Sequence, residues 1–440
     1  MIKKLKNGST LIIKNSNCSK TATIYFIFKV GSRYENPKDF GISHVIEHIL
    51  FKGTCNRPEA QQIAQIIDQY GGLFNAFTSR DMTGYYIKLP YKNLNIAIDI
   101  LSDMILNSLF NSKEIKSELN VIINEIKMRN SKPNSIIDQM FSQLVYKGTN
   151  LEHEIGGTKE TICKIDQEKL LKYMVKYYVA KNMIISIAGK VAINIENLLN
   201  KIFNNGEIQE RYKTILSEKY NIGKQSPPQK IKLYHKITQK SPRFSSKVNK
   251  DLDHTFISLG FPIVSFKNKK SWIFEVIGTI LAGTMGSILF QELREDRGLV
   301  YNVSYDIELF EDTGSFSITC SCSNDKKIVS EVLDIIFQNI HSIKNKPLPN
   351  KDIKRTIQYL LNSLDMKQEN TDELALSQAC EYIYLGKVLS IKEISHIYNK
   401  ITPQIIQKIC KEYFIKSRLN LAILSPLKFT KNFLQSNIKW

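Results

Sequence analysis

His44, Glu47 and His48 are the residues of this 440-residue chain whose types and spacing could do chemistry together. They stand as H-x-x-E-H within Gly41-Ile-Ser-His-Val-Ile-Glu-His-Ile-Leu-Phe-Lys-Gly53. Two histidines four apart share one helix face, with Cβ atoms roughly 5–6 Å apart, so two imidazoles can grip one metal ion. Glu47 sits near the same face, where it can take a proton from a metal-activated water. The order is that of the H-E-x-x-H zinc site read backwards. A catalytic zinc site takes three protein ligands and keeps one open position, so a third ligand must come from elsewhere. A helix predicted over 112–130 offers Glu114, Glu118 and Glu125.

The elements around the motif must bury it. Val45, Ile46, Ile49, Leu50 and Phe51 make the motif helix apolar nearly all round, which is the pattern of a buried helix. Ser43 stands where it can cap or support the helix start. Buried imidazoles and a carboxylate need partners, and a metal ion satisfies all three. Strands are expected at 8–14, 22–31, 73–78, 83–90 and 182–188. Helices are expected from Pro58 to the Gly71-Gly72 stop and over 92–107, 112–130, 135–146, 166–178 and 192–203. Residues 205–230 are polar and hold Pro227-Pro228, and read as a linker. Further strands are expected near 230–237, 254–262, 300–309, 314–322 and 418–425. Helices are expected near 269–282 and 286–296, and through most of 325–414. Both halves run strands, paired helices, strands, helices, an order that points to duplication.

The string Val30-Gly31-Ser32-Arg33-Tyr34-Glu35, then Gly41-x-Ser43-His44-x-x-Glu47-His48, then Phe51-Lys52-Gly53-Thr54 resembles the pitrilysin/insulinase family of inverted zinc peptidases. Its short-chain branch, which includes mitochondrial and bacterial processing peptidases, is the most similar. The resemblance implies an α+β fold of two similar halves, each a mostly antiparallel sheet covered by helices. It implies a zinc-binding catalytic half over 1–208, a linker over 209–229 and a second homologous half over 230–440. Glu118-Leu-Asn-Val-Ile-Ile-Asn-Glu125-Ile matches the family's ligand helix, which makes Glu125 the third zinc ligand, 77 residues after His48. Glu118 is seven residues earlier, a rise of about 10 Å, so both glutamates cannot bind one ion. Glu118 then suits a role orienting a ligand histidine. Leu293-Arg294-Glu295-Asp296-Arg297-Gly298-Leu299-Val300-Tyr301 resembles the family element whose arginine and tyrosine reach an active site. By that match Arg294 binds substrate backbone and Tyr301 stabilises the tetrahedral intermediate. Asn75-Ala76-Phe77-Thr78 matches the family's substrate-binding edge strand. Gly283-Thr-Met-Gly286 falls where processing peptidases carry a glycine-rich loop, and is poorer in glycine than theirs.

The expected activity is zinc-dependent endopeptidase cleavage of oligopeptides or unfolded segments, with Glu47 as general base and one zinc per chain. The alternative is a non-catalytic structural homologue, like a respiratory core subunit. Longer relatives carry four such halves, so the resemblance also implies a homodimer, or a heterodimer with a related subunit.

Bulk composition excludes some classes. A chain with 42% hydrophobic residues can bury sizeable cores. The net charge of +19 comes from lysines spread along the whole chain. No zinc-finger or RNA-binding string accompanies it, so a nucleic-acid partner is not expected. Cys18, Cys55, Cys163, Cys320, Cys322, Cys380 and Cys410 form no C-x-x-C and are odd in number, which fits a reducing compartment. The start lacks the apolar core of a signal peptide, and Val276–Gln291 is short for a membrane span. A soluble cytoplasmic protein is expected.

Overall fold

The computed structural model describes residues 1–191, 194–203, 208–222 and 239–436. Eleven strands are described: β1 (Ile2–Lys4), β2 (Thr10–Asn15), β3 (Thr21–Phe28), β4 (Leu73–Thr78), β5 (Thr83–Pro90), β6 (Met183–Gly189), β7 (Arg243–Val248), β8 (His254–Ile263), β9 (Val300–Leu309), β10 (Gly314–Ser323) and β11 (Asn420–Ser425). They form two sheets, ordered β1-β2-β6-β3-β5-β4 and β7-β11-β8-β10-β9. Among the described residues the only parallel pairs are β2 with β6 and β7 with β11.

Set β1 aside and the two sheets share one plan. Numbered along the chain within each half, the strands lie in the order first, fifth, second, fourth, third. Five helices separate the fourth and fifth strands in each half: Leu94–Asn107, Ser112–Ser131, Pro133–Val145, Lys159–Ile162 and Gln167–Tyr177 in the first, and Lys326–Asn345, Asn350–Lys367, Thr371–Leu385, Ile391–Tyr398 and Pro403–Tyr413 in the second. The fold is thus α+β with a duplicated half, as the sequence leads one to expect.

The compact units do not follow the halves. The first comprises the described residues of Met1–Lys127, His153–Lys232 and Asp365–Val388; the second comprises the rest. The third inter-strand helix of each half is exchanged. Pro133–Val145 packs on β7, β8 and β11, and Thr371–Leu385 packs on β2, β3 and β6. The buried residues Ile136, Ile137, Met140, Phe141 and Val145 form a cluster with Phe310, Ala422 and Leu424. On the first sheet the contact is more polar. Thr23 Oγ1 lies 2.8 Å from Thr371 Oγ1 and donates to Asp372 at 2.7 Å. Ser186 Oγ donates to the Ala375 carbonyl at 2.6 Å.

That packing explains a sequence feature. Strands covered on both faces read as continuous apolar runs, and β3 (TATIYFIF) and β6 (MIISIAG) do, each being buried almost throughout. The expected linker over 209–229 begins instead with a helix, Glu210–Tyr220. Its Tyr212 and Leu216 are buried, and the Tyr212 hydroxyl donates to the Ile105 carbonyl at 2.7 Å. The rest of that linker from 223, and the strand expected near 230–237, lie outside the described residues. β1, β7 and that helix were not anticipated. Among the described residues no helix is long and apolar enough to cross a membrane.

Candidate metal centre

The motif helix runs Ile42–Ile49 and is held by its N-terminus. Gly41 precedes it with φ 98°, and a Cβ there would fall 2.7 Å from the Gly156 carbonyl oxygen and 2.5 Å from Ile162 Cδ1. Only glycine fits such a position. The cap is not Ser43, whose hydroxyl shares a 2.8 Å hydrogen bond with Tyr173. It is Glu35, whose carboxylate accepts from Gly41 N–H at 2.7 Å and Ser43 N–H at 2.8 Å. Burial pushes the Glu35 carboxyl up to about 7, against the pull of those hydrogen bonds.

Val45, Ile46 and Ile49 bury the helix in the core and His44 is 7% exposed, while Glu47 and His48 are half-buried. The Nε2 atoms of His44 and His48 converge to 3.2 Å. The helix Ser112–Ser131 buries Ile115, Glu118, Ile122 and Ile126 and brings Glu118 and Glu125 to the rings. Glu125 Oε2 lies 3.6 Å from His44 Nε2 and 3.7 Å from His48 Nε2. Glu118 Oε1 lies 2.8 Å from His48 Nδ1, and Lys52 Nζ lies 2.6 Å from its other oxygen. Burial works to raise the Glu118 carboxyl, but the bonds from His48 and Lys52 outweigh it and hold the pKa below the usual carboxylate value. His48 therefore donates its Nδ1–H to the Glu118 carboxylate, which aims its Nε2 towards His44 and Glu125.

The donor set fits zinc. Bonds of 2.0–2.2 Å in a tetrahedral site put ligand atoms about 3.3–3.6 Å apart, close to the observed 3.2, 3.6 and 3.7 Å. Two neutral imidazoles can meet at Nε2 only if one donates to the other, whereas a cation between them takes both lone pairs at once. Glu47 also brings a carboxylate oxygen within 4.8 Å of the ring nitrogens. Its Oε2, however, accepts a hydrogen bond from Thr78 Oγ1 on β4. Glu125 is the carboxylate that lies evenly between the two rings.

Among the described residues β4 is the outer strand of its sheet and pairs only with β5. Asn75 is exposed, and its Oδ1 accepts from Ala76 N–H at 2.8 Å. Ala76 and Phe77 are half-buried, and the Phe77 ring packs 6.4 Å from Tyr25.

Arg294 and Tyr301 lie in the second unit, apart in the chain from the metal-centre residues of the first. The Arg294 guanidinium stacks 5.2 Å from the Tyr301 ring and 4.8 Å from Phe290. Tyr301, on β9, is 79% exposed. Arg297 pairs with Glu331 and Glu292 at the surface. The helix expected over 286–296 is a wider π-helical turn at Phe290–Asp296. Met285, in the poor glycine loop, is 74% exposed.

The sequence does not mark Lys52 as functional, and it marks Thr78 as part of the substrate strand but not as a partner of Glu47. Thr78 had one signal, since it lies two residues beyond Ala76 on the same strand face. Lys52 had none, because its partner lies on another helix.

The fold and site define a duplicated α+β protein in which two histidines and nearby carboxylates converge where a metal ion could be held. Residues 10–159 match the family described as Insulinase (Peptidase family M16), and residues 164–360 match the Peptidase M16 inactive domain. The chain is 33% identical over 428 residues to a protein of Rickettsia bellii named an uncharacterized zinc protease, covering 97% of each. It is 29% identical over 421 residues to the uncharacterized zinc protease YmxG of Bacillus subtilis, covering 96% of this chain and 97% of that one. In fold it is similar to a crystal structure of a protease from Helicobacter pylori, with TM-score 0.84 and 19% identity, covering 97% of this chain and 99% of that one. It is also similar to a chain of complex III2 from Candida albicans, with TM-score 0.79 and 15% identity, covering 100% of this chain and 99% of that one. The chain belongs to the insulinase family, peptidase family M16.

Proposed function

We propose that this protein is a zinc-dependent endopeptidase that cuts oligopeptides or unfolded, extended segments. The observation that carries the reading is the convergence of His44 Nε2, His48 Nε2 and Glu125 Oε2, with a second carboxylate, Glu47, beside them. His44, His48 and Glu125 would hold one zinc per chain. Bound there, zinc would supply Lewis acidity, lowering the pKa of a water and polarising the scissile carbonyl. Glu118 fixes the His48 ring through Nδ1, and Lys52 fixes Glu118. Glu47 takes the proton of the attacking water and passes it to the leaving nitrogen. Thr78 aims the Glu47 carboxylate.

Asn75, Ala76 and Phe77 offer an extended peptide a strand to add to, a mode that reads main chain more than sequence. Substrates would then be unfolded. Arg294 and Tyr301 would contact the substrate backbone and the tetrahedral intermediate. In a homodimer, or a heterodimer with a related subunit, they would serve the metal centre of the partner chain. The seven free cysteines accord with a reducing cytoplasm.

The rival reading is a non-catalytic homologue, favoured by the match of residues 164–360 to a domain described as inactive. One variant separates the two. Glu47→Gln should retain one zinc by metal analysis and lose at least about 100-fold in kcat on a fluorogenic extended peptide, the lower range for a general base. A wild-type rate in that variant would sink the catalytic reading.

A further inference from the structure

The exchanged helix Thr371–Leu385 reaches the turn that joins β4 to β5. The Tyr384 hydroxyl donates to Asp81 Oδ2 at 3.0 Å. Asp81 Oδ1 accepts from Arg33 Nη1 at 2.9 Å, and the Arg33 and Asp81 side chains are 2% and 3% exposed. One helical turn earlier, Cys380 Sγ lies 3.8 Å from Met82 Sδ. The helix therefore touches the turn at two points, on consecutive residues of it.

Two arms run from this turn to the metal centre. The turn is closed by Ser79 N–H donating to the Met82 carbonyl at 2.8 Å, and by the pairing of Thr78 with Thr83. Thr78 is thus the last strand residue before the turn, and its hydroxyl holds Glu47. The second arm is main chain. Ser32 and Arg33 N–H donate to the Ser79 and Arg80 carbonyls, each at 3.1 Å, and a Cβ at Gly31 would fall 2.2 Å from the Ser79 oxygen. Glu35, two residues past Arg33, caps the motif helix.

We infer that Tyr384 is a positioning residue for the Glu47 carboxylate, acting through Asp81 and the β4–β5 turn on Thr78. The chain's second half would thereby tune a proton transfer made by its first half. The inference rests on the peptidase reading for its effect on rate, but not for its effect on the turn. A buried ion pair linked to a hydroxyl behaves as one network, and its members couple rather than add. A small displacement of a catalytic group lowers turnover without weakening ground-state binding.

The test is Tyr384→Phe, which keeps the ring and removes the bond. In the metal-free full-length protein, native-state hydrogen exchange at the Ser79 amide should accelerate at least about tenfold, while the Ile185 and Ile187 amides of β6 keep their rates. In the zinc-loaded protein, kcat on an extended fluorogenic peptide should fall about tenfold with KM within twofold. In a Thr78→Val background the same change should cost less than twofold, because the arm is already cut. Unchanged exchange at Ser79 would overturn the inference, as would uniform acceleration at every amide, which is mere loss of stability. Equal losses from Tyr384→Phe with and without Thr78 would also overturn it. A wild-type protein with no peptidase activity would remove the peptidase reading, and the exchange at Ser79 would still decide whether Tyr384 holds the turn.

Discussion

Glu35 shows how one side chain can serve position and carry a titration. Its carboxyl is buried, sits at the N-terminus of the motif helix and is raised from 4.5 to about 7. Between these values the folded protein keeps a proton that the unfolded chain has released. The stability this group contributes is complete below about 4.5 and is lost as pH rises through about 7. Urea unfolding of the metal-free protein should therefore show stability falling across this window, and Glu35→Gln should flatten that slope. An unchanged slope in the variant would assign it elsewhere. Residues of this kind differ in how legible they are. His44, Glu47 and His48 declare themselves because their spacing is local and belongs to one helix. Glu118 and Glu125 are less visible, since the predicted helix also offers Glu114 and only the family resemblance singles the two out. Thr78, Lys52, Asp81 and Tyr384 have partners 31, 66, 48 and 303 residues away. No period in the sequence reports such a pairing.

Helices and strands were readable where their pattern is one-sided or strongly apolar. Ser112–Ser131 and Lys326–Asn345 each carry a regular buried stripe. Thr371–Leu385 is a helix whose location the sequence hides, because its buried face is Thr371, Ala375, Gln378, Ala379 and Tyr384, small or polar residues with little hydrophobic contrast. The continuous apolar runs of β3 and β6 do announce a cover on both faces, but not which helix supplies it. The motif helix is an element set by its entry rather than by its eight residues. Gly41→Ala tests this directly. The left-handed backbone alone costs about 1–3 kcal/mol for a residue with a Cβ, and the overlap with Gly156 and Ile162 adds to it. The variant should unfold at lower urea and bind zinc more weakly in a chelator competition. Normal affinity at reduced stability would mean that the helix entry does not set the metal centre.

For the whole molecule, the reading of a site shared between two chains has a sharp test, because Glu47 and Tyr301 lie in different units. Glu47→Gln chains mixed with Tyr301→Phe chains, after dissociation and reassociation, should recover activity at one of the two sites of the mixed dimer. If each chain serves itself, every site keeps a defect, and mixed dimers shown to form would stay as inactive as their parents. The exchanged helices bear on a different property. A chain severed between residues 222 and 239 would become two polypeptides, each still threading one helix onto the other's sheet. Without Thr371–Leu385, the face carrying Thr23, Tyr25, Ile27, Ile184 and Ser186 would lie open. These residues are now nearly fully buried, and alternation along β3 and β6 puts them on one side. The cut protein should therefore elute from a sizing column as a single species in native buffer and come apart only in denaturant. Neither piece expressed alone should stay in solution. Two pieces that part in native buffer, each folded, would contradict this. The duplicated halves are fastened like a buckle, so cutting the strap leaves it closed, and a gene split in two at that point could still encode one working protein.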